Sequence, residues 1–251
     1  MKTKITYKKK EYQVNLAKPL DISMPIRGDA SNVNAWYIDH PKIAPHKEGD
    51  FVGSVAQGAS TNFNDIWFNP HAHGTHTECV GHITKDFYSI NQNLNHFFYL
   101  AEVVTIAPGK LDTDFVITRK QLQNALKDKK TDAVVIRTLP NTTAKLSKRY
   151  SNTNPPYILE SAMEYLVELG IAHLLIDLPS VDKEKDKGEL LAHKAFWNFN
   201  GELRKSATIT EFIFVPNHIV DGTYFLNLQV APFENDASPS RPVLYKIKND
   251  E

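Results

Sequence analysis

Three apolar runs constrain the architecture: Y-L-A-E-V-V-T-I at 99–106, A-V-V-I-R-T at 133–138 and A-H-L-L-I-D at 172–177. Each is short and almost unbroken in apolar character, the pattern of a strand buried on both faces of a sheet. Helical segments separate them. Thr118 and Gln121 form a T-x-x-Q capping box, which starts a helix running to about Lys127. A second helix covers 160–169 and stops at Gly170, a residue suited to the left-handed turn after a helix. Strand, helix, strand, helix, strand is the order of right-handed βαβ crossovers.

The rest of the chain adds β structure. Further strands are predicted at 208–215 (T-I-T-E-F-I-F-V) and 224–230 (Y-F-L-N-L-Q-V). The first ninety residues, rich in Asn, Asp, Pro and Gly, read as short strands and long loops. The predicted fold is α/β, a single domain with a mixed β-sheet and a β-rich N-terminal part. Residues 1–20 are expected to extend a domain at 21–251. A chain of 251 residues, 41% hydrophobic and 23% charged, can bury a substantial core. Lys plus Arg balance Asp plus Glu at 29 each, so no strong field steers it to nucleic acid or an acidic membrane. The basic start lacks the apolar core of a signal peptide, and no run approaches the ~20 apolar residues of a bilayer span. The expectation is a cytoplasmic protein without nucleic-acid or membrane partners. Its one cysteine, Cys79, excludes an intrachain disulfide and a Cys-rich zinc module.

Chemistry concentrates at 69–82, which reads N-P-H-A-H-G-T-H-T-E-C-V-G-H. His71, His73, His76 and His82 surround an acid, Glu78. Neutral imidazole and carboxylate together suit a borderline divalent ion such as zinc or manganese. Gly74 and Thr75 interrupt a helix, so a loop or irregular strand is expected to gather the ligands. The plainer reading is a His-rich surface loop.

Other candidates lie downstream. Asp177, Ser180 and Asp182 fall at a strand-to-loop edge, where open α/β sheets bind ligands. The run D-K-E-K-D-K-G-E at 182–189 reads as a solvated loop, and His193 opens an apolar helical stretch. Glu211 interrupts an apolar strand. It is either solvated on a wet face or buried against a metal, a cation or a proton. H-E-x-x-H, G-x-S-x-G, G-x-G-x-x-G and a P-loop are all absent. What remains is a metal held by His and Glu, with water as the obvious reactant.

H-G-T-H-T-E-C-V-G-H resembles the H-x-G-T-H-x-D-x-P-x-H signature of the metal-dependent cyclase family, which includes kynurenine formamidases and isatin hydrolases. D-I-S-M-P-I (21–26), I-R-T (136–138), L-I-D-L-P-S-V-D (175–182), His193, Glu211 and A-P-F…S-R-P-V (231–243) follow in the family's order. The likeness departs at three points. Ala72 stands where the first ligand histidine is expected, Glu78 replaces an aspartate, and Val80 replaces a proline. His71 or His73 must then supply the missing ligand, and His71 is preferred because it leaves His73 as spacer. The resemblance implies a swivelling β/β/α fold and a homodimer or homotetramer. It also implies one or two divalent ions, zinc before manganese, held by His71, His76, Glu78, His82, His193 and Glu211. The implied activity is hydrolysis of a small amide, formamide or lactam by metal-bound hydroxide. His82 and Glu211 are the acid–base candidates, His82 foremost. Trp36, Tyr37, Trp67 and Phe68 are candidate walls for an aryl substrate. A metal-dependent lyase or cyclase, and a non-catalytic metal- or ligand-binding member, stand as alternatives.

Overall fold

The computed structural model describes residues 1–127 and 129–248. Its main sheet holds β1 (Lys2–Tyr7), β2 (Lys10–Asn15), β3 (Leu20–Asp21), β4 (His76–Glu78), β5 (Phe98–Ile106), β6 (Ala133–Thr138), β7 (His173–Ile176), β8 (Thr208–Glu211), β9 (Gly222–Asn227), β10 (Ala237–Pro239) and β11 (Val243–Lys248). Their spatial order is β1-β2-β11-β9-β5-β6-β7-β8-β4-β10, with β3 beside β11. The three apolar runs form the parallel centre β5–β6–β7, and β8 joins it in parallel. The flanking strands β9 and β4 run antiparallel to it. The sheet is therefore mixed, as predicted. Residues 1–20 contribute β1 and β2, which reach the sheet through β11.

In chain order α1 is Pro70–His73, α2 Arg119–Leu126, α3 Glu160–Glu168 and α4 Leu191–Trp197. The last three connect the parallel strands. The predicted capping box forms in full: Thr118 N–H donates to Gln121 Oε1 at 2.9 Å, and Gln121 N–H donates to Thr118 Oγ1 at 3.3 Å. Gly170 takes φ 78° just beyond α3, a conformation that glycine adopts without Cβ strain. α4 adds a third crossover, between β7 and β8, and it carries His193.

Alternation along the strands divides the core in two. Val104, Ile106, Val134, Ile136, Leu174 and Ile176 pack under Leu122, Met163, Leu166 and Phe196 of the helices. Val103, Val135 and Leu175 face the other side, against Ile22, Ile90, Leu226 and Leu244. Each such side chain stabilises the fold by about 1.5–3 kcal/mol relative to exposure.

Two strands are shorter than their apolar runs. The run at 208–215 leaves the ladder after Glu211 because Phe212 is left-handed, with φ 54°. Its later residues stay buried, Phe214 only partly, but bond elsewhere, Phe212 N–H to Leu178 O and Phe214 N–H to Ile22 O. The run at 224–230 forms a continuous strand only at Gly222–Asn227, with Val230 making an isolated bridge to Ser240. Among the described residues, no helix is long and apolar enough to cross a membrane.

Candidate metal centre

Strand register assembles the core of the site. β4 lies between β8 and β10, so Glu211 stands opposite His76 and Ile209 opposite Glu78. His76 and Glu78 share one face by the two-residue period, while Thr77 points the other way and meets Thr210 Oγ1 at 2.8 Å. His71 comes from α1, with Pro70 at the start of the turn. The expectation of a loop or irregular strand is thus corrected: one helical turn and one regular strand present these side chains, with Gly74 as the break between them. An ideal Cβ on Gly74 would lie 3.1 Å from Ile26 Cγ1, so the close approach there suits glycine. His82 ends the short 3-10 turn Val80–His82 that follows β4.

The six side chains singled out in the sequence converge. His71 Nδ1 lies 3.1 Å from Glu78 Oε2, and His193 Nε2 lies 3.1 Å from Glu78 Oε1. His76 Nε2 is 3.4 Å from Glu211 Oε2, and His193 Nε2 is 3.9 Å from Glu211 Oε1. His82 Nδ1 stands 3.7 Å from Glu78 Oε2. Glu211 is 3% exposed, which removes the wet-face reading; its Oε1 accepts the Val181 N–H at 2.9 Å.

Hydrogen bonds assign the tautomers. His76 Nδ1–H donates to Gly74 O at 3.0 Å, which turns Nε2 toward Glu211. His193 Nδ1–H donates to Asp182 Oδ2 at 2.5 Å, so Nε2 faces Glu78. His73 has both nitrogens engaged by backbone: Nδ1 accepts from Asn69 N–H and Nε2–H donates to Asp39 O, each at 2.8 Å. His71, by contrast, turns Nδ1 into the cluster.

Two acids support the site beyond the six predicted ligands. Asp182, expected at the ligand-binding strand-to-loop edge and also the first residue of the supposed solvated run, is 7% exposed and locks His193. It is held because the backbone N–H groups of Ala192 and His193 also need its oxygens. Later in that run, Glu184 accepts Tyr37 O–H at 2.5 Å and Asn154 N–H at 2.9 Å, tying the loop down. Asp236 meets His71 Nε2 at 2.9 Å and His82 Nδ1 at 3.3 Å. It lies 165 residues from His71, in a stretch with no ligand pattern.

Charge is dense here. Burial alone would raise the Glu78 carboxyl, but the imidazoles of His82, His193 and His71 hold it well below the usual range. Burial opposes charge on His71 as well, yet Asp236 and Glu78 push it up to about 10. His193 is raised well above its ordinary value against burial, by Asp182 and Glu78. Four carboxylates among four imidazoles need positive charge, which protons supply without metal and a divalent ion supplies with it.

The donors fit such an ion. His76 Nε2 and Glu78 Oε2 are fully buried yet make no hydrogen bond; the 3.1 Å approach of His71 Nδ1 to Oε2 lacks hydrogen-bond geometry. With ligand bonds of ~2.0–2.2 Å, neighbouring donors around tetrahedral zinc stand about 3.3–3.6 Å apart, close to the separations found here. His71, His76 and Glu78 form one compact group, Glu78, His82 and His193 another, and the less buried His71, His82 and Asp236 a third. Glu78 belongs to the first two.

A cavity of about 330 Å³ opens on this centre, with Trp36, Ile38 and Leu190 facing His71, His82, His193 and Glu211. Trp36 Nε1–H donates to His71 O at 3.0 Å, which ties the indole to the cluster. Tyr37, Trp67 and Phe68 do not line the cavity. Tyr37 and Trp67 are 55% and 48% exposed, and Phe68 packs against Phe233.

The sequence profile of the putative cyclase family matches residues 20–183. Kynurenine formamidase of Bacillus mycoides (strain KBAB4) is 26% identical over 235 residues, covering 91% of this chain and 97% of that protein. A solved potential metal-dependent hydrolase with cyclase activity superposes with a TM-score of 0.65 at 18% identity, over 91% of this chain and 97% of its own. An isatin hydrolase bound to the product analogue thioisatinate gives a TM-score of 0.65 at 18% identity, over 92% and 93% of the two chains. These last two likenesses concern the fold. The match spans most of the chain and includes the residues from His71 to Asp182, and the protein belongs to the putative cyclase family.

Proposed function

We propose that this protein is a metal-dependent hydrolase of a small amide, an N-formyl aryl amine or a lactam. The observation that carries the reading is a buried imidazole–carboxylate cluster with unpartnered donors, opening on a cavity walled by an indole. Similarity to a kynurenine formamidase along nearly its full length supports amide hydrolysis. The thiol supplies no rival nucleophile. Burial pushes Cys79 up to about 11, and its Sγ donates to Tyr88 O at 3.2 Å.

His71, His76 and Glu78 would hold one ion, and Glu78 with His193 would hold a second, Glu211 standing beside both positions. The N/O donor set favours zinc, then manganese. When bound, the ion supplies Lewis acidity, lowering the pKa of a coordinated water toward ~7 and polarising the amide carbonyl. His82, partly exposed at the cavity, takes the proton released by the attacking water and returns it to the departing amine nitrogen. Trp36 and Leu190 orient a flat ring and exclude bulk water. Ile43, Phe63, Ile66 and Trp67 leave an apolar face exposed around one hairpin, which suits a homodimer. The lone, buried Cys79 suits the cytoplasm.

The test is turnover of metal-reconstituted protein on N-formyl aryl amines, isatin and simple lactams in water enriched in oxygen-18. Hydrolysis places one solvent oxygen in the acid product and stops on chelation. A product free of solvent oxygen, or turnover that survives exhaustive chelation, overturns the reading.

A further inference from the structure

One oxygen of Asp236 serves two imidazoles. Its Oδ2 lies 2.9 Å from His71 Nε2 and 3.3 Å from His82 Nδ1, and the two rings lie side by side with centroids 4.4 Å apart. A carboxylate oxygen only accepts, so each of those nitrogens carries a proton. The other nitrogens are thereby assigned. His71 turns Nδ1 to Glu78 Oε2, and His82 keeps Nε2 free of any hydrogen bond to another described residue.

The backbone around Asp236 is fixed to the same strand that carries the acid of the centre. Asp236 O accepts the Cys79 N–H at 3.0 Å, and the next residue, Ala237, pairs with Glu78 across the ladder. Gly81 permits the approach: a Cβ there would lie 3.3 Å from Asp236 Cβ and 2.3 Å from Tyr88 O. Asp236 therefore reaches the histidines from a rigid base, with only its own side chain to order.

We infer that Asp236 is a positioning residue that sorts the two histidines, presenting His71 Nδ1 as a metal ligand and His82 Nε2 as the proton carrier. This rests on the proposed reading of the cluster as a divalent-ion centre. The two nitrogens of an imidazole diverge, so an ion shared by His71 Nδ1 and Glu78 lies away from the oxygen on Nε2. Asp236 is thus an orienting partner and not a direct ligand of that ion. The assignment also accounts for a histidine at 71 where the family pattern falls on Ala72. A displaced ligand needs its ring angle fixed from outside its own turn.

The experiment is zinc binding by the full chain, measured by competition with a chromophoric chelator. Asp236→Asn keeps the shape but replaces a charged acceptor with a neutral one, which weakens its hold on both rings, and zinc affinity is expected to fall 10–100-fold. Asp236→Glu keeps the charge but moves the oxygens by a methylene, and a smaller loss is expected. In a His71→Ala background, Asp236→Asn should change affinity less than about threefold, since its effect passes through the missing ring. Nitrogen-15 spectra of histidine-labelled, zinc-loaded protein should place the His71 proton on Nε2 in the parent and mix tautomers in Asp236→Asn.

Unchanged affinity in Asp236→Asn overturns the inference. So does an equal loss with and without His71, or full affinity in Asp236→Glu, since both indicate a general charge effect. A zinc-bound crystal structure with an Asp236 oxygen on the ion overturns it in favour of direct ligation. A parent protein that binds neither zinc nor manganese overturns the metal-centre reading itself, a separate result.

Discussion

Asp182 Oδ2 lies 2.5 Å from His193 Nδ1, and the same carboxylate accepts the backbone N–H groups of Ala192 at 2.8 Å and His193 at 3.1 Å. The pair fixes both the rotamer and the tautomer of a buried imidazole. Asp182→Asn retains the volume, but its amide nitrogen must face a donor. Urea unfolding of the metal-free protein should register a loss of about 2 kcal/mol, the scale of one charge-assisted hydrogen bond. Zinc affinity should fall 10–100-fold through misorientation of His193. Parental values of both quantities would show that the pair does not hold the ring.

Glu211→Gln separates charge from shape. Its Oε1 accepts Val181 N–H at 2.9 Å, a bond that the glutamine oxygen reproduces. The thermal midpoint of the metal-free variant should stay within a few degrees of the parent, the span that about 1 kcal/mol covers in a chain of this size. Bound metal after dialysis against zinc should fall at least tenfold. A variant that retains full metal and full turnover would leave Glu211 as a structural acceptor only.

Stability of the chelated protein should depend on pH in a definite sense. His71 is raised from 6.5 to about 10 in the folded state, so its contribution is whole below 6.5 and disappears as pH rises through 10. Glu78 is lowered from 4.5, so its contribution is present above 4.5 and is lost as pH falls through the depressed value. Melting of metal-free protein should therefore peak between about pH 4.5 and 6.5 and decline on the alkaline side. Bound zinc competes with those protons and should remove the alkaline decline. Thermal scans across pH with and without chelator decide this, and a metal-free midpoint that stays flat to pH 10 contradicts it.

Cys79→Ser tests the nucleophile by substitution. The thiol points to Tyr88 O, away from the cavity, and a hydroxyl can make the same bond. Turnover should remain within about threefold of the parent, while chelation of either protein abolishes it and zinc restores it. Loss of turnover in the variant with metal still bound would transfer the chemistry to sulfur.

The centre of the fold was legible because burial on both faces leaves a mark in composition. The runs at 99–106, 133–138 and 172–177 have no polar side to show, and they became β5, β6 and β7. The helix after Thr118 was legible from a local hydrogen-bond pattern that needs no tertiary partner. The strand at 208–215 was misread in length because the left-handed turn at Phe212 is imposed by neighbours, Leu178 O and Thr75 Oγ1 among them. Of the site, the clustered histidines and Glu78 announced themselves by proximity in sequence. Asp182 was legible as part of a strand-to-loop edge but not as the partner of His193, and Asp236 was not legible as part of the site. An acid in a charged run and an acid in a loop look like solvent-facing residues until the chain closes around them.

The two supports of the cluster differ in how much change they tolerate. Neighbouring positions on β4 point to opposite faces, so shifting His76 or Glu78 by one place would send its side chain toward Thr210 and the far side of the sheet. Neighbouring positions on α1 differ by only about 100°, an angle that a change of ring nitrogen and an outside carboxylate can absorb. On the proposed assignment, a ligand on the helical turn can migrate along the chain during descent while those on the strand stay in place. The permissive turn is where this chain departs in position, with His71 beside Ala72; at the strand it departs only in length, with glutamate for aspartate.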